Sequence, residues 1–336
     1  MKSKFALSTL IITIALVSCI NKKEENLKKT FFRMDTVTEI TLAVPGSYKV
    51  EPIWNSLDSI MKDWEERFSE TNPKSEVLTI NKRTSDTVVV SKEFSEMLRT
   101  ALRMADSTEG YFDVTILPIK EMWGLGEEED DTMPIPSADS VAKVLKNVGY
   151  KKVHMSPIGD TVFFNSLNVK IDLGGVAKGY VIREVGRYLD RNGISNYLIN
   201  AGGDILSRGK RADGKSWVIG LQHPRGREKI LAIVSLDSGS IVTSGDYEHF
   251  RIVNGKRIHH IFNPFTGFSC LNNTSLTIWS MNTVEGKILC TGLFCRDAKG
   301  ILSYVNSRPG LECIVVDSSG AVFVSDRWKN NVQIEK

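Results

Sequence analysis

Hydrophobic and polar residues alternate with helical spacing in two stretches of the N-terminal half. Residues 51–70 and 91–110 each place their apolar side chains on one face of a helix. Ser91 is a suitable N-cap for the second helix, and Gly110 is suited to its C-terminal end. The pattern therefore predicts two amphipathic helices that pack on a common core.

A third pattern changes its period within a few residues, in "VKIDLGGVAKGYVIREVG" at 169–186. Apolar and polar residues alternate over 169–173, which predicts a strand. Gly174 and Gly175 interrupt it, and helical spacing follows with Lys178 in the first turn. A glycine turn into a helix N-terminus favours phosphate binding, but the stretch fits neither GxGxxG nor GxxxxGK[ST], so a plain structural turn remains an alternative.

The C-terminal third is rich in short apolar runs that read as strands. They are "WVIGLQ", "LAIVSL", "SIVTSG", "LTIWSM" and the hairpin "ECIVVDSSGAVFVS", which turns on Ser319 and Gly320. Helices and strands do not alternate regularly along the chain. We therefore expect an α+β fold with a mostly antiparallel sheet and flanking helices.

The N-terminus has the pattern of an export signal. Lys2 and Lys4 precede a short apolar run, and "LVSC" ends in Cys19. We interpret 1–18 as a lipoprotein signal peptide and Cys19 as the lipidated residue, so that the protein is exported and anchored to a bacterial membrane on its periplasmic side. The polar stretch 19–30 is expected to be a tether. A plain signal peptide is the alternative.

Charge and cysteine usage exclude some classes of protein. The 43 basic and 40 acidic residues give a net charge of +3, which does not suggest a nucleic-acid partner. The four later cysteines lack CxxC spacing, so a zinc site is not expected. Export permits disulfides, but Cys290 and Cys295 lie in an apolar helical run and are expected to be small core residues. The acidic run at 127–131 is expected to be a solvated loop.

Four further glycine-containing stretches resemble the first one. They are "TEGYFDVTILPIKEMWGLG", "NAGGDI", "TSGDYEHF" and "HHIFNPFTG". Five turns that carry glycines beside polar side chains exceed what a plain sheet protein needs. We expect them to converge on a ligand-binding cleft.

Together these motifs resemble the ApbE-type FAD:protein FMN transferases, from about residue 31 to 326. "MDT" at 34–36 and "FSETNPKSEVLTIN" at 68–81 add to the resemblance. It implies a single T-fold-related domain over 31–330 that binds FAD with Mg²⁺ and transfers FMN to a Thr or Ser hydroxyl. The implied acceptor is a subunit of a membrane redox complex. Alternatives are an FAD pyrophosphatase that releases FMN and AMP, and a catalytically weak FAD-binding lipoprotein.

The resemblance also implies roles for individual residues. His260 would be the base that deprotonates the acceptor, with His259 a bystander, and Gly175 and Thr291 would contact the metal. The cofactor-binding residues would be Met34, Thr71, Tyr111, Phe112, Asp113, Lys178, Gly202, Gly203, Asp204, His260 and Ile261. Asn263 stands where the family often has an Asp that helps to orient the histidine.

Two positions depart from the family pattern. Thr71 replaces a Tyr thought to stack on the flavin, which would weaken binding by roughly 1–3 kcal/mol. Lys287, in "GKILCTGLF", stands where family members carry a metal-binding Asp. Three accounts follow: Lys287 takes over the role of the metal, another oxygen donor such as Glu285 or Asp172 keeps the metal, or the site no longer catalyses.

Overall fold

The computed structural model describes residues 23–69, 72–125 and 134–335. The helices are α1 (Glu51–Phe68), α2 (Glu76–Asn81), α3 (Lys92–Ser107), α4 (Leu117–Met122), α5 (Ala138–Leu145), α6 (Gly174–Arg191), α7 (Thr283–Leu293) and α8 (Ala298–Asn306). The strands are β1 (Glu24–Arg33), β2 (Thr36–Pro45), β3 (Thr87–Val89), β4 (Val153–Met155), β5 (Thr161–Phe164), β6 (Tyr197–Ala201), β7 (Asp204–Arg208), β8 (Trp217–His223), β9 (Gly226–Leu236), β10 (Ser238–Gly245), β11 (Phe250–Val253), β12 (Lys256–His259), β13 (Asn273–Ser280), β14 (Leu311–Asp317), β15 (Val322–Val324) and β16 (Val332–Ile334).

The main sheet has eight strands in the order β1-β2-β6-β7-β10-β13-β14-β15. Every neighbouring pair in it is antiparallel. The C-terminal strands predicted from the sequence are β8, β9, β10, β13 and the β14–β15 hairpin. The expected α+β fold with a mostly antiparallel sheet is confirmed.

Helices cover one face of the main sheet. Their apolar sides share one hydrophobic core with strands β2, β6, β10, β13 and β14. Helix α6 lies inside this layer, where Tyr180 is 1% exposed, and it packs against α1, α3 and α7. The two amphipathic helices predicted from the sequence are α1 and α3, and Ser91 caps α3 by accepting a hydrogen bond from Phe94 N.

A second, smaller sheet covers the opposite face. Strands β8, β9 and β16 form it, and their apolar residues pack on Ile205, Ile241 and Ile314 of the main sheet. A third cluster joins α4 and α5 to Phe262. Both faces of the central strands are therefore covered, which leaves the ends of these strands accessible to a ligand.

The segment 169–173 is not a strand, so that prediction is wrong. Its apolar residues are buried as the alternation requires, but no neighbouring strand pairs with it. Instead, Asn81 donates to Ile171 O and accepts from Ile171 N through its side chain. The alternating pattern predicted burial correctly, but the backbone of this segment bonds to the Asn81 side chain at Ile171 and to Val114 O at Asp172 and to no strand.

The predicted tether over 19–30 is also wrong for residues 24–30. They belong to β1, which pairs with β2 along its whole length. The side chains of β1 alternate between the core and the surface: Leu27 is partly buried against the core, and Phe31 is 8% exposed. The signal peptide over 1–18, Cys19 and the acidic run at 127–131 lie outside the described residues.

The cysteines differ in part from expectation. Cys290 is buried with a free thiol, as predicted for a small core residue. Cys295 is buried too, but it forms a disulfide with Cys270, so the expectation of an unpaired core thiol is wrong there. Among the helices of the described ranges, none combines the length and the apolar character that a membrane crossing requires.

Candidate active site

A cavity of about 430 Å³ opens where several elements end. The N-terminus of α6, the β6–β7 turn, the end of β10 and the inner face of α7 form its walls. The C-terminal end of α1 and the segment after β12 complete it. The five glycine turns singled out in the sequence all contribute lining residues, so the cleft they were expected to form exists.

The N-terminus of α6 points its backbone into this cavity. Gly174 and Gly175 both line it. Asp172 Oδ1 accepts a hydrogen bond from Gly174 N at 2.8 Å, while Asp172 Oδ2 lies 2.5 Å from Lys120 Nζ. The helix dipole adds partial positive charge at this end, which favours an anionic ligand.

A glycine on α6 allows α7 to lie very close to it. At Gly175 an added Cβ would crowd the Phe112 ring at 3.1 Å and would lie at ordinary contact distance, 3.8 Å, from Thr291 Oγ1. A Cβ on Gly179, one turn later, would lie 3.1 Å from Val284 Cα and 3.4 Å from Lys287 Cβ. Because Lys287 and Thr291 are four residues apart, they share one face of α7. The close approach brings both to the first turns of α6.

Lys287, Asp204 and Lys178 form a charged cluster inside the cavity. Lys287 Nζ lies 3.0 Å from Asp204 Oδ2, with the two side chains 15% and 4% exposed. Burial opposes the charge on Lys287, but the Asp204 carboxylate outweighs it and raises the pKa of Lys287. Burial lowers the pKa of Lys178, with Asp204 acting in the opposite sense. The cluster therefore keeps at least one firmly charged ammonium in the cavity.

His260 is held in one tautomer. Its Nδ1 lies 3.2 Å from the carbonyl oxygen of His249, which can only accept, so Nδ1 carries the hydrogen. Nε2 of the neutral ring is left with a lone pair. Burial, together with the nearby His249 and Lys120, lowers the pKa of His260. The ring thus lines the cavity in the neutral form that a general base requires.

The neighbouring His259 is occupied differently. It is 1% exposed, and its Nε2 lies 2.7 Å from Cys270 O. Its Nδ1 accepts from Ile261 N. Both ring nitrogens are used within the protein, so His259 acts structurally. Asn263 accepts from Phe265 N, so the group that orients His260 is the His249 carbonyl.

The segment after α3 supplies an aromatic and acidic wall. Tyr111, Phe112 and Asp113 all line the cavity. Tyr111 packs edge-on against Phe265 with ring centroids 5.1 Å apart. Asp113 accepts hydrogen bonds from Thr115 N, Thr115 Oγ1 and Tyr150 N, while burial raises its pKa. The Asp113 carboxylate is therefore fixed in place, with about one lone-pair site, on Oδ2, left for a ligand donor.

Met34 reaches the cavity from a strained turn. Met34 and Asp35 connect β1 to β2 with φ of 57° and 54°, a region that few non-glycine residues adopt. Gly202 follows β6 with φ of 60°, and a Cβ there would lie 2.2 Å from Thr36 Oγ1. Met34, Gly202 and Asp204 line the cavity. These turns set the shape of the pocket floor.

The structure brings together most of the residues singled out in the sequence. The members that line the cavity are Met34, Tyr111, Phe112, Asp113, Gly175, Lys178, Gly202, Asp204, His260, Ile261, Lys287 and Thr291. Gly203 lies in the same β6–β7 turn but is not part of the lining. Thr71 and Cys19 lie outside the described residues.

Several lining residues were not assigned a role from the sequence. Trp64 and Glu65 come from α1, and Lys120 comes from α4. Glu248 and His249 lie within the quoted "TSGDYEHF" motif, which was a usable signal. No sequence motif marked Trp64 and Glu65, because they look like the ordinary buried and polar positions of an amphipathic helix.

The cavity does not offer an obvious metal site. Mg²⁺ prefers about six oxygen donors in octahedral geometry, whereas Lys287 places an ammonium 3.0 Å from Asp204. Glu285 is paired with Arg103 at 3.0 Å and does not line the cavity. Across residues 23–69, 72–125 and 134–335, no group of three His, Cys, Asp or Glu side chains is placed to hold a metal ion.

Comparison with known proteins places this fold and cavity in a family. The sequence model of the ApbE family matches residues 34–315. The chain therefore belongs to the ApbE family.

Relatives match along nearly the whole chain. FAD:protein FMN transferase of Vibrio cholerae is 27% identical over 326 residues, which is 95% of this chain and 96% of the relative. The enzyme of the same name from Haemophilus influenzae is 27% identical over 84% of both chains. The crystal structure of the ApbE protein from Thermotoga maritima is 30% identical with a TM-score of 0.84, over 91% of this chain and 99% of that one.

Proposed function

We propose that the protein is an FAD:protein FMN transferase, which moves FMN from FAD to a Thr or Ser hydroxyl of an acceptor protein. The names of the relatives support this activity. The observation that carries the proposal is that His260, fixed as a neutral base, lines the same cavity as the α6 N-terminus and two lysines. Phosphoryl transfer needs a base next to the attacking hydroxyl and positive charge next to the phosphoryl oxygens.

Different residues bind different parts of FAD. The α6 N-terminus, Lys178 and Lys287 face the diphosphate. Tyr111 and Phe112 offer apolar and aromatic surface, and the remaining lone pair of Asp113 Oδ2 accepts from an adenine amine. Met34 contacts the flavin dinucleotide from the β1–β2 turn. Tyr111, Asp113 and Lys287 are held by packing, hydrogen bonds or an ion pair before the ligand arrives, which lowers the entropic cost of binding.

The reaction is a single displacement at the FMN phosphorus. The acceptor hydroxyl oxygen attacks this phosphorus, and its proton passes to Nε2 of His260. The bond between the phosphorus and the oxygen that bridges to AMP breaks, and AMP leaves with that electron pair. Lys178 and Lys287 stabilise the charge that develops on the phosphoryl oxygens. The products are a phosphoester-linked FMN and AMP.

Mg²⁺ is expected from the family resemblance, but the residues around Thr291 do not fit it. Lys287 would repel a cation at the place where a carboxylate ligand would be needed. No step of the proposed reaction is therefore assigned to a metal ion.

Flavin transfer to an acceptor tests the proposal directly. The purified full chain is incubated with FAD and a Thr-containing acceptor domain, and flavin fluorescence is followed on the acceptor band after denaturing electrophoresis. We expect transfer by the wild type and a loss of about 10²-fold or more in His260→Ala. His154→Ala, an exposed histidine on β4, is the matched control and is expected to keep full activity.

Two other outcomes would replace the proposal. Release of AMP and free FMN without acceptor would identify a hydrolase in which water takes the place of the hydroxyl. Intact FAD that stays bound for hours would identify a carrier.

The location of the protein belongs to the same proposal. The N-terminal pattern that ends at Cys19 supports export and a lipid anchor on the periplasmic side of a membrane. The acceptor is then a subunit of a redox complex in that membrane. Cys19→Ser is expected to move the protein from the membrane fraction to the soluble fraction, and unchanged membrane association would contradict the lipid anchor.

A further inference from the structure

Lys287 is a mostly buried part of the cavity wall. It is 15% exposed and contacts the buried Asp204 carboxylate at 3.0 Å. Thr291, one turn later on α7, donates from Oγ1 to Lys287 O. The close packing at Gly179 fixes the Lys287 Cβ against α6. The ammonium is therefore held in position by the fold as well as by its carboxylate partner.

Two carboxylates that could replace the missing metal ligand, Asp172 and Glu285, already have charged partners, while Glu248 also lines the cavity and helps to raise the pKa of Lys287. Asp172 accepts from Gly174 N and pairs with Lys120. Glu285 pairs with Arg103 outside the cavity. Asp204 is the carboxylate beside Lys287, and its Oδ2 makes no hydrogen bond of normal geometry in spite of the short ionic contact. A divalent cation at this place would have to displace the ammonium.

The ammonium can supply the charge that a cation would otherwise provide. A lysine ammonium is a compact positive charge with three donors and no acceptor. One donor direction suffices for Asp204, so the others are available to phosphate oxygens. Lys178 adds a second ammonium in the same cavity, and the α6 N-terminus adds partial positive charge. With the Asp204 carboxylate counted, the two ammonium groups leave one net positive charge, which the α6 N-terminus supplements against the two negative charges of a diphosphate diester.

We propose that Lys287 takes the place of a metal ion, so that this protein binds and cleaves a nucleotide diphosphate ester without a divalent cation. The inference rests on the proposed function, because it concerns the diphosphate of FAD. It assigns to Lys287 both ligand binding and stabilisation of the phosphoryl group during transfer. Lys178 and the α6 N-terminus are its partners.

The test measures metal binding separately from activity. Mn²⁺, which substitutes for Mg²⁺ and is visible by electron paramagnetic resonance, is titrated into the full chain loaded with FAD. We expect no protein-bound Mn²⁺ in the wild type, and unchanged FAD affinity and flavin transfer in EDTA. Lys287→Asp is expected to bind one Mn²⁺ per FAD and to transfer flavin only with added divalent cation.

Two variants make the result independent of how well Lys287→Asp folds. Lys287→Met keeps the length of the side chain without the charge, and is expected to bind FAD about tenfold to a hundredfold more weakly, with no rescue by Mg²⁺. Lys299→Asp makes the same charge change on the exposed first turn of α8. It is expected to behave as wild type.

Specific results would overturn the inference. Stoichiometric Mn²⁺ binding by the FAD-loaded wild type, or loss of its transfer activity in EDTA, would show that Lys287 does not replace the metal. Wild-type affinity for FAD in Lys287→Met would do the same. FAD binding by the wild type is measured separately, by quenching of flavin fluorescence. If the wild type binds FAD but needs a metal ion, only the inference about Lys287 fails. If it binds no FAD at all, the proposed function fails as well.

Discussion

His260 shows how a backbone group can prepare a side chain for catalysis. The His249 carbonyl accepts from Nδ1 and also from the backbone N of His260. A carbonyl fixes the tautomer as a carboxylate would, but it adds no negative charge that would raise the pKa of the ring. Asn263, which stands where a carboxylate was expected, is therefore not needed for this task.

The depressed pKa of His260 has a measurable consequence. Burial, His249 and Lys120 disfavour the protonated ring, so the base stays neutral as the pH falls below the ordinary histidine value of about 6.5. We expect the acid limb of kcat/KM for flavin transfer to have its midpoint below pH 6.5. The limb should disappear from the residual activity of His260→Ala. A midpoint above pH 6.5 would contradict the assignment.

At the residue scale, the sequence predicted which side chains belong to the site better than it predicted which of them contact each other. Lys178, Asp204, His260 and Lys287 stood in recognisable motifs and meet in the cavity. The pairing of Lys287 with Asp204 could not be predicted, because it depends on how closely α7 approaches the β6–β7 turn.

At the level of elements, the contact between α6 and α7 determines the site. Gly175 and Gly179 lie four residues apart on α6 and face Thr291 and Lys287 on α7. Periodicity predicted α6 well, although the helix begins at Gly174 itself. It could not show that Gly179 allows a second helix to come close, since that requires knowing which helix lies opposite.

Gly179→Ala tests this contact. The added methyl group would crowd Val284 Cα at 3.1 Å, which costs about 1–3 kcal/mol, while alanine raises helix propensity by about 1 kcal/mol. We expect little change in Tm but a decrease in kcat/KM of about three- to tenfold, because Lys287 is displaced.

Gly286→Ala is the matched control for that substitution. It lies on α7 near Ser280, away from the cavity, and it should leave kcat/KM unchanged. An unaffected kcat/KM in Gly179→Ala would mean that the helix spacing does not position Lys287.

The wrong strand at 169–173 illustrates a general limit at this scale. Alternating burial arises whenever an extended segment lies between a core and a polar surface. Only a partner strand turns that segment into part of a sheet, and here Asn81 satisfies Ile171 instead. A single sequence carries no information about such a long-range partner.

At the scale of the whole molecule, one covalent link joins the two sides of the site. The Cys270–Cys295 disulfide connects the segment after His260 to the end of α7. Spacing alone did not reveal it, because the two cysteines lie 25 residues apart and show no motif. Its presence agrees with the proposed export to an oxidising compartment.

Loss of this disulfide should lower stability substantially. For a loop of this length the chain-entropy argument gives about 3 kcal/mol. We expect urea denaturation of Cys270→Ala/Cys295→Ala to show an unfolding free energy lower by that amount. Dithiothreitol should bring the wild type to the same value and leave the variant unaffected, whereas equal stability of both proteins without reductant would contradict the prediction.

The position of β1 has a consequence for where the protein works. Since the sheet begins at Glu24, only four residues, or five Cα-to-Cα steps, separate it from Cys19. An extended chain spans at most about 3.6 Å per residue. With a lipid at Cys19, the distance from the lipid-bearing residue to the start of β1 is therefore at most about 18 Å. The enzyme would then diffuse only in a thin layer next to the bilayer. An acceptor embedded in the same membrane would collide with it more often than an acceptor that diffuses freely.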